Sequence, residues 1–152
     1  MDTNARAKAL STATGISNSD LIGILNKELG DPKALDEFVK YGDIFAKANP
    51  ISPILHIVSG NTPEAAIQSV TRGLLVGAKN HVKLPRNGIK EFYDFLDKLP
   101  SELLNLVETS SEREACNEWI DIAQVIIIFG SDETVMDIVS RTNPLQTIIS
   151  HN

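Results

Sequence analysis

The sequence predicts an α/β fold in which a parallel β-sheet is covered by flanking helices and preceded by an N-terminal helical segment. Two observations predict it. Continuous apolar runs at 54–58 and 125–128 have the length and the β-branched composition of strands that are buried on both faces. Each run ends in a turn that leads directly into a segment with helical spacing of apolar residues. Such alternation over short connections is typical of parallel strands joined by right-handed crossovers.

Residues 1–50 form the predicted helical segment. Residues 1–19 are small and polar, so we expect a mobile start, or a helix only from about residue 4. Apolar side chains then recur at helical spacing over 19–29, and Gly30 stands where a helix ends. A second helix is predicted from Asp31-Pro32 to Asn49-Pro50, with proline in its first turn and again at its end.

Residues 51–152 form the predicted α/β region. Its strands and helices alternate, and the predicted elements are strand 54–58, a helix from Asn61, strand 81–84, helix 87–99, strand 103–107, helix 112–123, strand 125–129, helix 133–141 and strand 146–150. We therefore expect a Rossmann-like sheet.

Composition excludes several classes of function. The formal net charge of -6 and the pI of about 5.0 give no basic field that would attract nucleic acid or an anionic membrane surface. No apolar run approaches the roughly 18 residues of a membrane span. One cysteine and the lack of a secretion signal predict a cytoplasmic protein.

Ligand-binding residues are expected where the predicted strands end, because helix N-termini at that edge present unpaired N–H groups to anions. Three turns qualify: 59–63, 83–87 and 130–133. The spaced glycines of the dinucleotide fingerprint and the Walker phosphate loop are both absent.

The three turns, in this order and spacing, make residues 54–152 resemble the cofactor-domain half of the aldehyde dehydrogenase superfamily. The resemblance is greatest to its acyl-CoA reductase branch, which includes the fatty acyl reductases of bacterial luminescence. It implies that 51–152 is a dinucleotide-binding domain of an NAD(P)-dependent oxidoreductase. Such an enzyme reduces acyl-CoA or an acyl thioester to an aldehyde, or oxidises the aldehyde, through a cysteine thioester.

The resemblance also implies roles for individual residues. Asn61 matches the asparagine whose amide stabilises the thiohemiacetal oxyanion. Lys83, followed by Pro85, matches the lysine that contacts the adenosine ribose. Gly130 and Ser131 match the turn that lies near the pyrophosphate.

Two departures from the family pattern have consequences. Arg86 stands where a glutamate often holds the ribose hydroxyls, and a guanidinium there favours a 2′-phosphate, so we expect NADP rather than NAD. The family's nucleophilic cysteine and general-base glutamate lie downstream of residue 152, so we expect the chain alone to be inactive. Its acyl-CoA or aldehyde substrate would bind through that other half. An unpaired edge on the strand at 146–150 predicts a homo-oligomer.

Simpler readings compete at several positions. Cys116 lies among acids that raise a thiol pKa, which favours a buried structural cysteine. His56 sits within an apolar run, where a hydrogen-bonded core histidine is favoured. No histidines have the spacing of metal ligands, so no metal site is predicted. Lys83 alone could be a solvated charge at a strand end.

Two other functions remain open. One is a non-catalytic α/β module that serves in nucleotide binding or assembly. The other is a flavodoxin-like or receiver-like regulatory domain, which fits the alternation but would require an acidic cluster that the sequence lacks.

Overall fold

The N-terminal part of the chain contains two helices and a β-hairpin. The structure is a computed structural model that describes residues 1–151. In chain order its first elements are α1 (Thr3–Thr14), α2 (Asn18–Leu29), a 3₁₀ turn (Pro32–Leu35), β1 (Val39–Tyr41) and β2 (Ile44–Ala46). Strands β1 and β2 pair with each other in an antiparallel hairpin that is separate from the main sheet.

The rest of the chain forms a five-stranded parallel sheet with helices on both faces. Its elements are β3 (Ile54–Ile57), α3 (Pro63–Val76), β4 (Asn80–Lys83), α4 (Lys90–Leu96), α5 (Ser101–Leu104), β5 (Val107–Ser110), α6 (Arg113–Ile122), β6 (Val125–Phe129), α7 (Asp132–Val139) and β7 (Thr147–His151). The strand order is β5-β4-β3-β6-β7, and every neighbouring pair is parallel. The predicted fold class is confirmed.

Two hydrophobic clusters cover the two faces of the sheet, one on each face. On the α3 face, Val82 of β4 belongs to one cluster with Leu74 of α3 and with Leu10 and Leu21 of the N-terminal helices. On the α6 face, Leu55 and Ile126 pack against α6 and α7. Both faces of the central strands are therefore apolar, which explains the continuous apolar runs in the sequence.

Helix α1 begins earlier than predicted and is anchored to α3. Asp2 caps its N-terminus by accepting from the Ala5 N–H at 2.8 Å, so the helix starts at Thr3. The buried guanidinium of Arg6 donates to the Leu75 carbonyl at 3.0 Å. A cation at the carbonyl end of α3 is favoured by the helix dipole, and it fixes α1 against α3.

The predicted second helix is wrong. After the short 3₁₀ turn the chain forms the β1–β2 hairpin, since Gly42 adopts a left-handed conformation (φ 59°) that reverses it. The Tyr41 hydroxyl ties the hairpin to α2 by donating to the Leu29 carbonyl at 2.6 Å.

The predicted strand at 103–107 is also wrong. The first part of that segment lies in the short helix α5, and strand β5 begins only at Val107. Leu103 is buried in the cluster on the α3 face, so its apolar character reflects helix packing rather than a strand.

Helix α3 approaches strand β4 unusually closely at Gly73. A Cβ at Gly73 would overlap Asn80 Oδ1 and would lie 3.0 Å from Asn80 Cγ, and both residues are buried. Only glycine allows this contact.

We predict that Gly73→Ala lowers the free energy of unfolding by about 2–4 kcal/mol, because the new methyl group must displace a buried amide. Gly23→Ala in α2 is the matched control, since nothing lies within 4 Å of a Cβ there. It should be neutral or stabilise the chain by up to about 1 kcal/mol through helix propensity. Urea denaturation of both variants measures the difference, and equal values for the two would contradict the contact.

Candidate functional site

The strand order reverses between β3 and β6, and the carboxyl edge of a parallel sheet at such a reversal is where a ligand crevice forms. From β3 the chain moves to β4 and β5 on one side, then returns to β6 and β7 on the other. Ile57, at the end of β3, pairs in register with Lys83 of β4 and Ile128 of β6. The turns that follow these three strands therefore meet at one edge, which is where α/β sheets bind ligands.

The turn after β3 carries Asn61, which is exposed. A Cβ at Gly60 would lie 3.8 Å from Pro85 Cγ, so this turn is in van der Waals range of the turn after β4. Thr62 occupies the N-cap position of α3 without a side-chain capping hydrogen bond. The first N–H groups of α3 are thus left without a side-chain cap at the crevice.

Lys83 is the last residue of β4 and is half-buried. His81, two residues earlier, stacks on Trp119 of α6 with ring centroids 4.9 Å apart, so Lys83 projects toward the α6 face. Its Nζ donates to the Leu84 carbonyl at 2.8 Å. Arg86 is exposed in the connection that follows. Lys83 therefore points away from the face of the sheet that carries α3.

The turn after β6 carries Gly130 and Ser131. A Cβ at Gly130 would lie 3.3 Å from Thr134 Cβ, so the turn packs tightly on the first turn of α7. Ser131 caps α7 by accepting from the Thr134 N–H at 3.4 Å. Asp132 and Glu133 add negative charge to the same helix end, whereas α3 has no side-chain cap. Of the two helix N-termini at the crevice, that of α3 is the better suited to a phosphate.

The turn after β5 also lies at this edge, and it was not predicted from the sequence. Ser110 ends β5 and pairs in register with Lys83, and its hydroxyl accepts from the Glu112 N–H at 3.0 Å. The prediction ended this strand at residue 107 and so placed no turn here. The β-branched Val107 and Thr109 before two serines were the available signal.

A buried polar network lies beneath the crevice on the α3 face. His56 is fully buried, with Nδ1 2.9 Å from Ser69 Oγ and Nε2 2.9 Å from Asn80 Oδ1. The Asn80 amide nitrogen donates to the Ala78 carbonyl at 2.8 Å, so its oxygen must accept from His56 Nε2–H. Nδ1 then accepts from the Ser69 hydroxyl. The predicted hydrogen-bonded core histidine is confirmed.

Burial lowers the pKa of His56 from its ordinary value of 6.5 to about 4. The hydrogen bond to Asn80 raises the pKa and the nearby His81 lowers it, but both effects are smaller than that of burial. The imidazole is therefore neutral at physiological pH, as the hydrogen-bonding pattern requires.

The second buried histidine has a different environment. Neither ring nitrogen of His81 has a hydrogen-bond partner within residues 1–151, and its Nε2 lies 3.5 Å from a carboxylate oxygen of Glu108. Burial, followed by the charge of Lys79, lowers the pKa of His81. We assign it no chemical role.

Cys116 is buried against the α6 face of the sheet. Burial raises the pKa of its thiol, and the positive charge of Lys83 opposes that rise only in part. The predicted structural cysteine is thus supported, although burial rather than neighbouring acids is the main cause. A protonated, buried thiol is unsuited to act as a nucleophile.

Residues 1–151 contain neither a cluster of metal-ligating side chains nor a helix that could span a membrane. No three His, Cys, Asp or Glu side chains lie together in a way that could hold a metal ion. No helix in this part of the chain is long and apolar enough to cross a membrane.

Comparison with known families gives a match along almost the whole sequence. A profile of the family described as acyl-CoA reductase (LuxC) matches residues 2–152. The chain belongs to this family. The resemblance inferred from the turns at Asn61, Lys83 and Gly130 is therefore confirmed, and the family is one of oxidoreductases.

Sequence relatives carry a consistent description. The long-chain acyl-protein thioester reductase of Aliivibrio fischeri is 37% identical over 59 residues, which are 39% of this chain and 12% of the relative. The protein of the same description from Photorhabdus laumondii subsp. laumondii is 23% identical over 145 residues, which are 88% of this chain and 30% of the relative. The chain thus spans less than a third of either relative's length.

Two solved structures share the fold. The structure of 3,6-anhydro-L-galactose dehydrogenase in complex with NAP superposes with a TM-score of 0.64 at 17% identity, covering 99% of this chain and 39% of that one. An NAD-dependent benzaldehyde dehydrogenase from Corynebacterium glutamicum superposes with a TM-score of 0.63 at 12% identity. The match covers 99% of this chain and 42% of that one. The aldehyde dehydrogenase fold of the sheet region is therefore shown.

We predict that titration of His56 lowers the free energy of unfolding as the pH decreases, at pH values above those at which the carboxylates titrate. Because its folded pKa of about 4 lies below the unfolded value of 6.5, its contribution is fully present above pH 6.5. That contribution, about 3 kcal/mol, is lost as pH falls from 6.5 to 4. His56→Gln, which cannot titrate, should lose correspondingly less over the same range. Denaturant titrations at several pH values test this, and parallel curves for the two proteins would show the assignment to be wrong.

Proposed function

We propose that residues 51–152 are the dinucleotide-binding domain of an NADP- or NAD-dependent oxidoreductase, and that residues 1–50 are an N-terminal segment packed against it. The enzyme would reduce acyl-CoA or an acyl thioester to an aldehyde, or oxidise the aldehyde, in the cytoplasm. The observation that carries the proposal is the switch point of the sheet, with Asn61, Lys83 and Gly130 in the turns around it, in a chain of the acyl-CoA reductase family.

The groups around the crevice fit a dinucleotide chemically. The α3 N-terminus, which has no side-chain cap, offers N–H donors to a pyrophosphate, and the Ser110 hydroxyl can hydrogen-bond a ribose. We propose that Lys83 binds the adenosine ribose, that Pro85 fixes the turn beside it, and that Arg86 pairs with a 2′-phosphate.

Gly130 and Ser131 would border the pyrophosphate from the other side of the crevice. Gly130 leaves the backbone accessible there, because it carries no side chain. Ser131 has a hydroxyl that already accepts from the Thr134 N–H, so it would act by donating to a phosphate oxygen.

The bound nicotinamide would supply or accept the hydride. Asn61 is the group of this chain that we place at the reacting carbon. Its exposed amide at the start of α3 would donate to the oxyanion that forms on the acyl carbon, and a single donor of that kind contributes roughly 3 kcal/mol to catalysis.

We propose that the reactive thiol comes from polypeptide outside these 152 residues. Cys116 is the single cysteine of the sequence, and its burial and raised pKa make it a poor nucleophile. The same observation favours a second candidate function, a non-catalytic nucleotide-binding or assembly module. A turnover assay with acyl-CoA distinguishes the two candidate functions. The oxidoreductase should turn over acyl-CoA when the remaining polypeptide is supplied, whereas a non-catalytic module should not.

We further propose that the chain self-associates. Three large apolar side chains of the hairpin region are exposed, namely Phe38 (69%), Ile44 (64%) and Phe45 (67%). A groove of about 730 Å³ also runs along the α3 face of β6 and β7, with Ile127 and Ile149 in its lining, and β7 is an edge strand. Apolar surface of this extent favours association.

We predict that Lys83→Ala and Arg86→Ala separate the two cofactors. Lys83→Ala should weaken NAD and NADP alike, because both contain the adenosine ribose. Arg86→Ala should weaken the binding of NADP about ten- to hundredfold and leave the affinity for NAD nearly unchanged. The reason is that a charge-assisted hydrogen bond to the 2′-phosphate is worth about 1.5–3 kcal/mol. Lys98→Ala, at an exposed lysine between α4 and α5, is the control. Titration calorimetry measures all three, and equal losses for both cofactors in Arg86→Ala would remove the NADP preference.

We predict that Phe38→Ser combined with Phe45→Ser lowers the sedimentation coefficient at high micromolar concentration, because the variant removes exposed apolar contact area. Leu104→Ser is the control, since Leu104 is exposed on α5 rather than on the hairpin. A clean monomer for the unmodified chain would exclude self-association.

A further inference from the structure

The network around His56 joins three elements whose ends form the crevice. His56 belongs to β3, Ser69 to α3 and Asn80 to β4, and each is buried. Within residues 1–151, the Ser69 to His56 bond is the one side-chain hydrogen bond that joins α3 to the sheet. All three residues lie on the α3 face, inside an otherwise apolar layer.

Apolar packing alone leaves the position of α3 along its axis weakly determined. Ala66, Val70 and Leu74 bury the helix against the sheet, but this attraction is non-directional and changes little when a helix slides slightly. A hydrogen bond of 2.9 Å is lost if the helix moves by about 1 Å, because the bond weakens steeply beyond about 3.5 Å. The network therefore fixes the axial position of α3.

Gly73 makes the arrangement more specific. It lies one turn after Ser69 on the same side of α3, and its missing side chain is the space that the Asn80 amide occupies. Asn80 is itself held by its bond to the Ala78 carbonyl. Helix and strand are thus in contact at two successive turns of α3, once through a hydrogen bond and once through direct approach.

Two crevice residues stand at similar distances from this network. Ser69 lies six positions after Pro63, which follows Asn61 by two, and six positions are roughly 9 Å at the helical rise. Lys83 lies three positions after Asn80 in β4, which is roughly 10 Å. A shift of α3 relative to β4 at the network would therefore be transmitted to the spacing between Asn61 and Lys83.

We infer that His56 is a positioning residue: its imidazole, held between Ser69 and Asn80, sets the position of α3 relative to β3 and β4 and thereby the spacing between Asn61 and Lys83. The inference rests on the proposed function for its consequence, since it assigns the network to cofactor affinity and not only to stability. His56 itself contacts no ligand, because it is fully buried.

The test uses the 152-residue chain and measures the dissociation constant for NADP and the melting temperature of each variant. Ser69→Ala removes only the helix side of the network, and we expect NADP binding to weaken about tenfold. Thr71→Val is the matched control on α3, because Thr71 is buried and its hydroxyl has no hydrogen-bond partner within residues 1–151. It should bind NADP with unchanged affinity.

A second control separates positioning from stability. Ile138→Val, in the cluster on the opposite face of the sheet, lowers the melting temperature without touching the network. It should leave the NADP dissociation constant within about twofold of the unmodified chain. If Ser69→Ala behaves in the same way, the network is only structural and the inference is overturned.

A measurement without cofactor keeps the inference testable if the proposed function fails. If the unmodified chain binds neither NADP nor NAD, the proposed function is lost, and the backbone amide NMR shifts of Asn61 and Lys83 then decide. We expect both to change in Ser69→Ala and neither to change in Thr71→Val. Unchanged shifts at both positions would overturn the inference, as would covalent labelling of Ser69 by a fluorophosphonate probe, which would make Ser69 a nucleophile.

Discussion

The parallel direction of all five strands is the constraint on which the rest of the structure depends. Each strand must be followed by a connection that returns to the opposite edge, so every carboxyl end, and every turn after it, lies on one side. Because β3 is central and the chain extends from it in both directions, α3 and α7 leave on different faces. The crevice that we assign to a dinucleotide is the gap between those departures, and it follows from topology before any side chain is considered.

The same constraint explains which elements could be predicted from sequence. A strand buried on both faces must be apolar throughout, so β3 and β6 are visible as short continuous runs. The hairpin had no such signature. Phe38, Val39, Ile44 and Phe45 have spacing that suits a helix, yet three of the four are exposed, and the turn at Gly42 decides the structure. The predicted position of strand β5 was wrong because Leu103, which is apolar, packs in the core as part of helix α5 and not of a strand.

The turns of the candidate site were predictable for a related reason, since each follows a strand that the pattern had already located. The buried partners were not. Ser69 and Asn80 lie 13 and 24 residues from His56 in sequence, and nothing local in either segment indicates that they meet. The need for glycine at position 73 likewise arises only from the approach of β4. Sequence patterns report burial and turns, whereas side-chain pairing across elements depends on register that only the fold supplies.

Within the apolar layers of this protein, some buried polar groups are hydrogen-bonded and others are not. Thr71 and His81 leave polar atoms without a hydrogen-bond partner in the described residues, and each carries a desolvation cost that an apolar side chain would avoid. The His56 network satisfies its imidazole and the Asn80 amide oxygen together, at the price of holding the imidazole neutral. Apolar residues of similar size could fill the same volume with comparable stability, as buried polar pairs elsewhere show. What they could not supply is direction, because only the hydrogen-bonded arrangement distinguishes one axial position of α3 from its neighbours. The value of the network therefore lies in fixing the position of α3 relative to β3 and β4, the strands that end beside Asn61 and at Lys83.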